Sequence, residues 1–233
     1  MNLQLITPGV LTVGIDASPP PPLHMGDPES QDFSGFEVDL IAAVAGDLGL
    51  AVHHRSVLWR DMLRELDGGH LDVVCTAATV SPERAAHVAF SAPYLDIQLA
   101  LVARRDASIR SIVDVKSGDV GVRVATTAAE YVWRHASARR ITLYDMNEDV
   151  YDAVASREVD AAVDDSPIAA WFVRHRPDLA VVSLIPGTEA NYALMIAQDK
   201  VALRRSVDDA LSRIRRDGRY EAIHRRWFGE RNE

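Results

Sequence analysis

Two short stretches, Thr79-Val-Ser-Pro-Glu-Arg84 and Asp164-Asp-Ser-Pro167, decide how this chain of 233 residues is interpreted. In the first, Ser81 before a proline and an acid is typical of a helix start, with Arg84 in its first turn. In the second, two aspartates follow an apolar run and precede another Ser-Pro pair. A ligand that carries both a carboxylate and an ammonium group needs one cationic and one anionic partner. The two stretches together predict a receptor for an amino-acid-like molecule.

Strand-like and helical segments alternate around these stretches, as the spacing of apolar residues indicates. Such alternation predicts parallel sheets with helices on both faces. A further strand–helix series is expected to open at residues 109–113. The predicted strands are 10–15, 50–57, 71–76, 97–102, 120–124, 141–144, 161–163, 179–184 and 192–196. The predicted helices are 36–48, 60–66, 127–136, 148–156, 167–173, 201–216 and 220–228, with a helix start at 81–83.

The series runs twice, which predicts an α/β protein with two doubly wound lobes. Strands 97–102 and 192–196 stand where the chain is expected to cross between the lobes, so they form a two-strand hinge. Lobe 1 is then discontinuous, comprising residues 1–103 and 195–233, and lobe 2 comprises residues 104–194. The helices at the C-terminal end of the chain return to lobe 1.

Composition excludes several classes of function. Hydrophobic residues make up 48% of the chain and charged residues 25%, which is typical of a globular protein with a real core. The net charge of −9 argues against a nucleic-acid partner, because phosphate binding needs a basic face. The single cysteine excludes an intramolecular disulfide, and the histidines lack metal-ligand spacing. We therefore expect neither a metal nor a cofactor.

Seven motifs in order make the chain resemble the polar amino-acid solute-binding proteins of ABC transporters, over roughly residues 10–229. This resemblance implies a type II periplasmic-binding-protein fold that captures a polar amino acid between two lobes. It also implies hinge closure, delivery to a membrane ABC permease, and action as a monomer in the periplasm or outside the cell. We expect no signal peptide within this chain, because residues 1–9 contain neither a basic region nor a long apolar run. The motifs are Leu11-Thr-Val-Gly-Ile-Asp16, Gly35-Phe-Glu-Val-Asp-Leu40, Leu71-Asp-Val-Val74, Thr79-Val-Ser-Pro-Glu-Arg84, Phe90-Ser-Ala-Pro-Tyr94, Val159-Asp-Ala-Ala-Val-Asp-Asp-Ser-Pro167, and Asp217-Gly-Arg-Tyr220 with Trp227-Phe-Gly229.

The resemblance assigns the two charged partners of the ligand. Arg84 matches an arginine that clamps the ligand's α-carboxylate, and Thr79 matches a hydroxyl position that binds the same carboxylate or the amine. Asp165 matches the aspartate that pairs with the α-amino group, at the carboxyl end of a strand. The alternatives are a solvated helix arginine at Arg84 and a helix cap at Asp165.

A second set of positions in lobe 2 faces the ligand in relatives. Ala125, Thr126 and Thr127 match a Gly-Thr-Thr turn whose backbone N–H groups hold the carboxylate at a helix start. Arg123 and Asp164 match positions that face the ligand side chain. The alternative for Arg123 is a charge on an exposed strand face.

Lobe 1 departs from the family pattern in two places and matches it at a third. Relatives carry an aromatic residue shortly after the Asp16 strand, whereas here a proline run leads to Leu23. Trp59 matches a second aromatic wall against the ligand, or else packs in the core. Ala77 replaces a glycine whose carbonyl accepts from an amine. These changes leave the α-amino and α-carboxylate positions in place and leave the side-chain preference open.

The sequence leaves alternatives for the ligand's side chain and for the class of function. Asp16 and Asp164 favour a cationic side chain and Arg123 opposes one, so the balance favours a basic or amide side chain. Cyclohexadienyl dehydratases resemble the chain but carry a general-acid glutamate three residues after the aspartate, where this chain has Ile168, so we expect no enzyme. The ligand-sensing domain of a membrane receptor, or a reconstructed sequence, is a further alternative.

Overall fold

The computed structural model describes residues 3–229, which divide into two compact units. Unit 1 runs to Leu95 and resumes at Asn191, whereas unit 2 spans Asp96–Ala190. Strands β5 and β11, which pair with each other, cover the two points where the chain passes from one unit to the next. The strands are β1 (Val10–Asp16), β2 (Ala51–Val57), β3 (Val73–Val74), β4 (Ala89–Phe90), β5 (Leu95–Ile97), β6 (Leu99–Arg104), β7 (Asp119–Arg123), β8 (Arg140–Tyr144), β9 (Ala161–Asp165), β10 (Leu179–Leu184), β11 (Ala190–Tyr192) and β12 (Met195–Ile196).

Eight α-helices alternate with these strands in the described part of the chain. None of these helices is long and apolar enough to cross a membrane. Two 3-10 helices, Trp59–Asp61 and Ile112–Ser117, complete the list of helical elements in residues 3–229. The α-helices are α1 (Phe36–Asp47), α2 (Met62–Asp67), α3 (Pro82–Ala85), α4 (Thr127–His135), α5 (Asn147–Ala155), α6 (Ser166–His175), α7 (Val201–Arg216) and α8 (Arg219–Phe228).

Each unit contains a five-stranded sheet with mixed strand directions. In unit 1 the order is β2-β1-β3-β12-β4, with β1 parallel to β2 and β3 but β12 antiparallel to its neighbours. In unit 2 the order is β10-β6-β9-β7-β8, with β6 antiparallel to β9 and β10. The prediction of parallel sheets is therefore wrong for β6 and β12. Both strands follow a short strand at a crossing point rather than a crossover helix of their own unit, so the βαβ rule does not apply to them.

Four local predictions also differ from the structure. The predicted strand 97–102 divides into β5 and β6, and 192–196 belongs partly to β11 and partly to β12. Residues 109–113 form no strand, because Ser111 and Asp114 make a capping box that starts a 3-10 helix. The predicted strand 71–76 is reduced to β3.

The sheets are held by buried apolar side chains on their faces. In unit 1, Leu11, Val13 and Ile15 of β1 are buried, as are Leu40 and Ile41 of α1. In unit 2, the core cluster joins β6, β7 and β9 to α4 through residues such as Leu101, Val122, Val132 and Val163. Burial of this kind keeps the ends of β1, β7 and β9 in fixed positions. The polar residues of the candidate site lie at these ends or directly after them.

Gly35, directly before α1, is a position where only glycine fits. Its φ is 152°, and a Cβ added there would lie 2.0 Å from the carbonyl oxygen of Leu23. We predict that Gly35→Ala lowers the free energy of unfolding by more than about 1 kcal/mol, because the backbone must move. Urea unfolding followed by circular dichroism measures the change.

Gly46 provides the matched control for Gly35. It lies within α1, and a Cβ there would meet no atom within 4 Å. Gly46→Ala should raise the free energy of unfolding by about 1 kcal/mol, because alanine favours the helix. Equal shifts in the two variants would contradict the assigned role of Gly35.

Candidate functional site

Unit 1 brings together three of the predicted site residues: Thr79, Arg84 and Trp59. The side chain of Ser81 accepts a hydrogen bond from Arg84 N at 3.2 Å, which starts α3 as predicted. The Arg84 guanidinium donates from Nη1 to the carbonyl oxygen of Thr79 at 2.8 Å. Its carbon lies 4.8 Å from the ring centre of Trp59. Arg84 is thus a half-buried arginine with an ordered head group, which differs from the solvated alternative.

Asp16 ends β1 and is buried, with 3% of its surface exposed. Its backbone N–H donates to Thr76 Oγ1 at 3.2 Å, and its Oδ1 accepts from Ser18 N at 3.0 Å. These bonds tie the chain after β1 to the loop after β3. Asp16 therefore lies beside the loop that carries Ala77 and Thr79.

The two alanines at positions where the resemblance predicts glycine both adopt a left-handed backbone. Ala77 has φ of 48° and Ala125 has φ of 59°. A non-glycine residue in this region carries a cost of order 1 kcal/mol, which the surrounding structure must offset. At Ala77 the backbone N–H donates to Glu37 Oε1 at 2.8 Å, and this bond holds the turn.

Glu37 is a buried residue of the site that the sequence analysis did not single out. It is fully buried, accepts from Ala77 N and from the hydroxyl of Tyr94, and its Oε2 lies 3.1 Å from Nδ1 of buried His24. Burial, and then the charge of Glu37, raises the pKa of the Tyr94 hydroxyl well above its ordinary value. An acid in the first turn of a helix is common, so the sequence around Glu37 does not distinguish it from an ordinary first-turn acid.

His24 belongs to a ring stack that continues to His54. Phe33 stacks on His24 at 5.8 Å between ring centres and meets His54 edge-on at 4.9 Å. Burial, followed by the neighbouring His24 and His53, lowers the pKa of His54 to about 4. Within residues 3–229, no group of three or more His, Cys, Asp or Glu side chains is arranged to hold a metal ion.

In unit 2, Arg123 is buried at the carboxyl end of β7 and belongs to a polar network. Its Nε donates to the carbonyl oxygen of Asp145 at 3.0 Å, and its Nη1 donates to Asn147 Oδ1 at 3.1 Å. Asn147 in turn donates to Asp164 Oδ2 at 2.8 Å, as does the Tyr151 hydroxyl at 2.9 Å. Arg123 is therefore a buried, hydrogen-bonded side chain and not an exposed charge on a strand face.

Both oxygens of Asp164 are used within unit 2. Oδ1 accepts from Asp165 N at 2.8 Å, and Oδ2 accepts from Asn147 and Tyr151. Burial raises the pKa of the Asp164 carboxyl, and these hydrogen bonds act in the opposite direction. Its contact with a ligand side chain stays a prediction.

Asp165 is the last residue of β9 and precedes α6, and 8% of it is exposed. Its side chain makes no cap hydrogen bond to α6, and Ser166 Oγ instead accepts from Gln98 N at 3.2 Å. The structure therefore does not support the helix-cap alternative for Asp165. Since β7 and β9 are parallel neighbours, Asp165 and Arg123 lie at the same edge of the sheet.

Thr126 and Thr127 begin α4. Thr126 Oγ1 accepts from Ala129 N at 3.1 Å and donates to the Arg123 carbonyl at 2.8 Å. The hydroxyl of Thr126 is thus used to cap the helix. Thr127 is the first helical residue, as predicted, and its backbone N–H belongs to the first turn.

The family model of bacterial extracellular solute-binding proteins, family 3, matches residues 11–230. The chain belongs to this family. The L-cystine-binding protein TcyJ of Escherichia coli strain K12 is 27% identical over 223 residues, covering 95% of this chain and 83% of TcyJ. The family membership predicted from the seven motifs is confirmed.

Solved structures support the same assignment. A variant of ArgBP from T. maritima has a TM-score of 0.89 at 27% identity, covering 99% of this chain and 100% of that chain. The ancestral amino acid-binding protein AncCDT-1, a precursor of cyclohexadienyl dehydratase, has a TM-score of 0.89 at 28% identity, covering 98% and 100%. The predicted type II α/β fold with two lobes is confirmed.

The pKa of His54 makes stability depend on pH in a defined window. Unfolded histidine titrates near pH 6.5 and folded His54 near pH 4, so between these values the unfolded state binds more protons. The free energy of unfolding should therefore fall as pH falls from about 6.5 to about 4. We predict that His54→Asn removes this part of the loss, measured by urea unfolding at several pH values.

Exposed His87 offers the control for His54. His87→Asn should leave the pH dependence of unfolding as in the wild type. A His54→Asn profile that follows the wild type through the same window would contradict the assignment to His54.

Proposed function

We propose that this protein binds a polar amino acid and presents it to a membrane ABC permease. The observation that supports this most is the ordered Arg84 guanidinium in unit 1, combined with buried Asp165 in unit 2. A guanidinium binds a carboxylate through two parallel hydrogen bonds and keeps its charge at any physiological pH. Asp165 supplies the opposite charge for an α-ammonium group.

Other residues complete the proposed contacts with the amino acid's backbone groups. Thr79 and the carbonyl of Ala77 lie in the loop that Glu37 holds, and Asp16 lies beside that loop. In unit 2, the first N–H groups of α4 at Thr126 and Thr127 are suited to a carboxylate, because helix starts carry unpaired donors and a partial positive charge.

The side chain of the ligand is assigned to Arg123, Asp164 and Trp59. Asp164 is engaged by Asn147 and Tyr151, and Arg123 is adjacent to it in the same network. An amide side chain donates to a carboxylate and accepts from a guanidinium, and a basic side chain donates to the carboxylate, so we propose an amide or basic amino acid. TcyJ, named for L-cystine, makes that compound a further candidate.

Binding rather than catalysis is the function that the residues support. AncCDT-1 is a precursor of a dehydratase, but the position predicted for a general acid holds Ile168, which is buried and apolar. An isoleucine side chain cannot transfer a proton. We further propose that the protein acts as a monomer in the periplasm or outside the cell.

Titration calorimetry with L-arginine, L-glutamine, L-lysine and L-cystine tests the proposed function. We expect at least one of them to bind the wild type. Arg84→Ala and Asp165→Asn should each weaken that binding about 100-fold, roughly 2.7 kcal/mol, because each leaves a buried ligand charge unpaired.

Exposed Arg225 in α8 supplies a matched arginine in unit 1. Arg225→Ala should leave affinity unchanged, and circular dichroism should show every variant folded. Absence of binding with all four amino acids would refute the proposed ligand class. Unchanged affinity in Arg84→Ala would show that the carboxylate binds elsewhere.

A further inference from the structure

Asn147 connects the two charged side chains of the network in unit 2. It is the first residue of α5, and 5% of it is exposed. Its Oδ1 accepts a hydrogen bond from Arg123 Nη1 at 3.1 Å, and its Nδ2 donates one to Asp164 Oδ2 at 2.8 Å. One uncharged amide therefore bridges a buried guanidinium and a buried carboxylate.

The chemistry of these two neighbours fixes the direction of the amide. A guanidinium has only donors, and an ionised carboxylate has only acceptors. In the reverse orientation the NH2 group of Asn147 would meet the guanidinium and its oxygen would meet the carboxylate, so both hydrogen bonds would be lost. The side chain therefore satisfies Arg123 and Asp164 together in one orientation.

Further bonds hold both charges beside the amide. Arg123 Nε donates to the carbonyl oxygen of Asp145 at 3.0 Å. Asp164 Oδ2 also accepts from the hydroxyl of Tyr151 at 2.9 Å. The bond from Tyr151 thus supports the carboxylate and the bond to Asp145 supports the guanidinium, whereas Asn147 is bonded to both charges.

The amide gives each charge a hydrogen bond without neutralising it. A buried guanidinium and a buried carboxylate attract each other strongly, because little water screens them. An arginine–carboxylate pair often forms two parallel hydrogen bonds, which use the polar edges of both groups. A direct pair of Arg123 and Asp164 would turn those edges toward each other, and the bridging amide prevents this.

We infer that Asn147 is a positioning residue that keeps Arg123 and Asp164 from pairing with each other, so that a ligand side chain can engage both charges. This inference rests on the proposed function, which assigns these two residues to the ligand side chain. A ligand amide matches the arrangement, since it donates to a carboxylate and accepts from a guanidinium. Without the bridge, the two charges pair, and a ligand must first separate them.

Titration calorimetry with L-arginine, L-glutamine, L-lysine and L-cystine tests the inference on two matched variants. Asn147→Leu removes both amide bonds and should weaken each amino acid that binds the wild type by about 10-fold. Tyr151→Phe removes a bond to the same oxygen of Asp164 but keeps the bridge, so each affinity should stay within about 3-fold of the wild type. Equal losses in the two variants would overturn the positioning role.

Asn147→Asp separates loss of the bridge from damage to α5, because an acid is also favourable in the first turn of a helix. At low pH the adjacent buried carboxyls at positions 147 and 164 share one proton, since like charges so close cannot both ionise readily. The shared proton keeps the two carboxyls bonded and leaves an acceptor for Arg123. When it dissociates at higher pH, the two carboxylates repel each other and the bridge is broken.

The affinity of Asn147→Asp, divided by that of the wild type at the same pH, should therefore fall as pH rises. We expect it to be within about 3-fold of the wild type at about pH 5 and about 10-fold lower at about pH 8. This variant also carries the test if Asn147→Leu does not fold. A ratio that does not fall with rising pH would overturn the inference.

A measurement without ligand separates this inference from the proposed function. In a ¹⁵N spectrum of the arginine side chains, the Arg123 Nε–H signal should keep its wild-type position in Tyr151→Phe and should move in Asn147→Leu. An unchanged signal in Asn147→Leu would overturn the inference even if amino acids bind. A moved signal in a protein that binds no amino acid would instead refute the proposed function and leave the bridge between Arg123 and Asp164 intact.

Discussion

The carboxylate of Glu37 is the contact on which the candidate site in unit 1 depends. It is buried at the start of α1 and accepts from the backbone of Ala77 and the hydroxyl of Tyr94, with His24 beside its other oxygen. A buried charge is costly unless such partners surround it. Each partner lies on a different part of unit 1, so a single side chain fixes several segments at once. Tyr94 extends the connection, because its carbonyl accepts from the hydroxyl of Tyr220 in α8.

Unit 2 obtains the same kind of order from a network instead of one group. Asp164 is held by Asn147, Tyr151 and the backbone of Asp165, and Asn147 connects it to Arg123. The network lies where parallel strands end, which is the usual position of ligand sites in α/β sheets. Its members come from β7, β9 and α5, so the geometry of Arg123 depends on the packing of all three elements.

The parts of the fold that depend on local chemistry were predictable from the sequence. Ser81 caps α3 as its Ser-Pro-Glu context indicates, and α7 has the predicted bounds because its apolar spacing is regular over four turns. The short strand β3 was not predictable. Asp72, next to it, uses its carboxylate to accept from Thr12 N at 2.9 Å and Ile6 N at 3.0 Å, in addition to its backbone bond to the Thr12 carbonyl. These partners lie far away in the chain, so no local pattern shows them.

The same distinction applies to the candidate site. The positions of Arg84 and Asp165 follow from motifs that can be seen in a few residues, whereas the side-chain bonds to Asp164 come from residues 13 and 17 positions away. The stacking of Arg84 on Trp59 joins two segments 25 positions apart, so the sequence could suggest an aromatic surface but not its partner.

Alanine at positions 77 and 125 has a consequence for the motion of the loops that carry these residues. A glycine can move among many backbone conformations, but an alanine with positive φ occupies one small allowed region. Each methyl group therefore removes neighbouring conformations that the loop would otherwise visit. Small excursions of each loop become rarer, and each loop keeps one backbone conformation. The amide of Ala77, bonded to Glu37 inside such a loop, will exchange its hydrogen with solvent slowly.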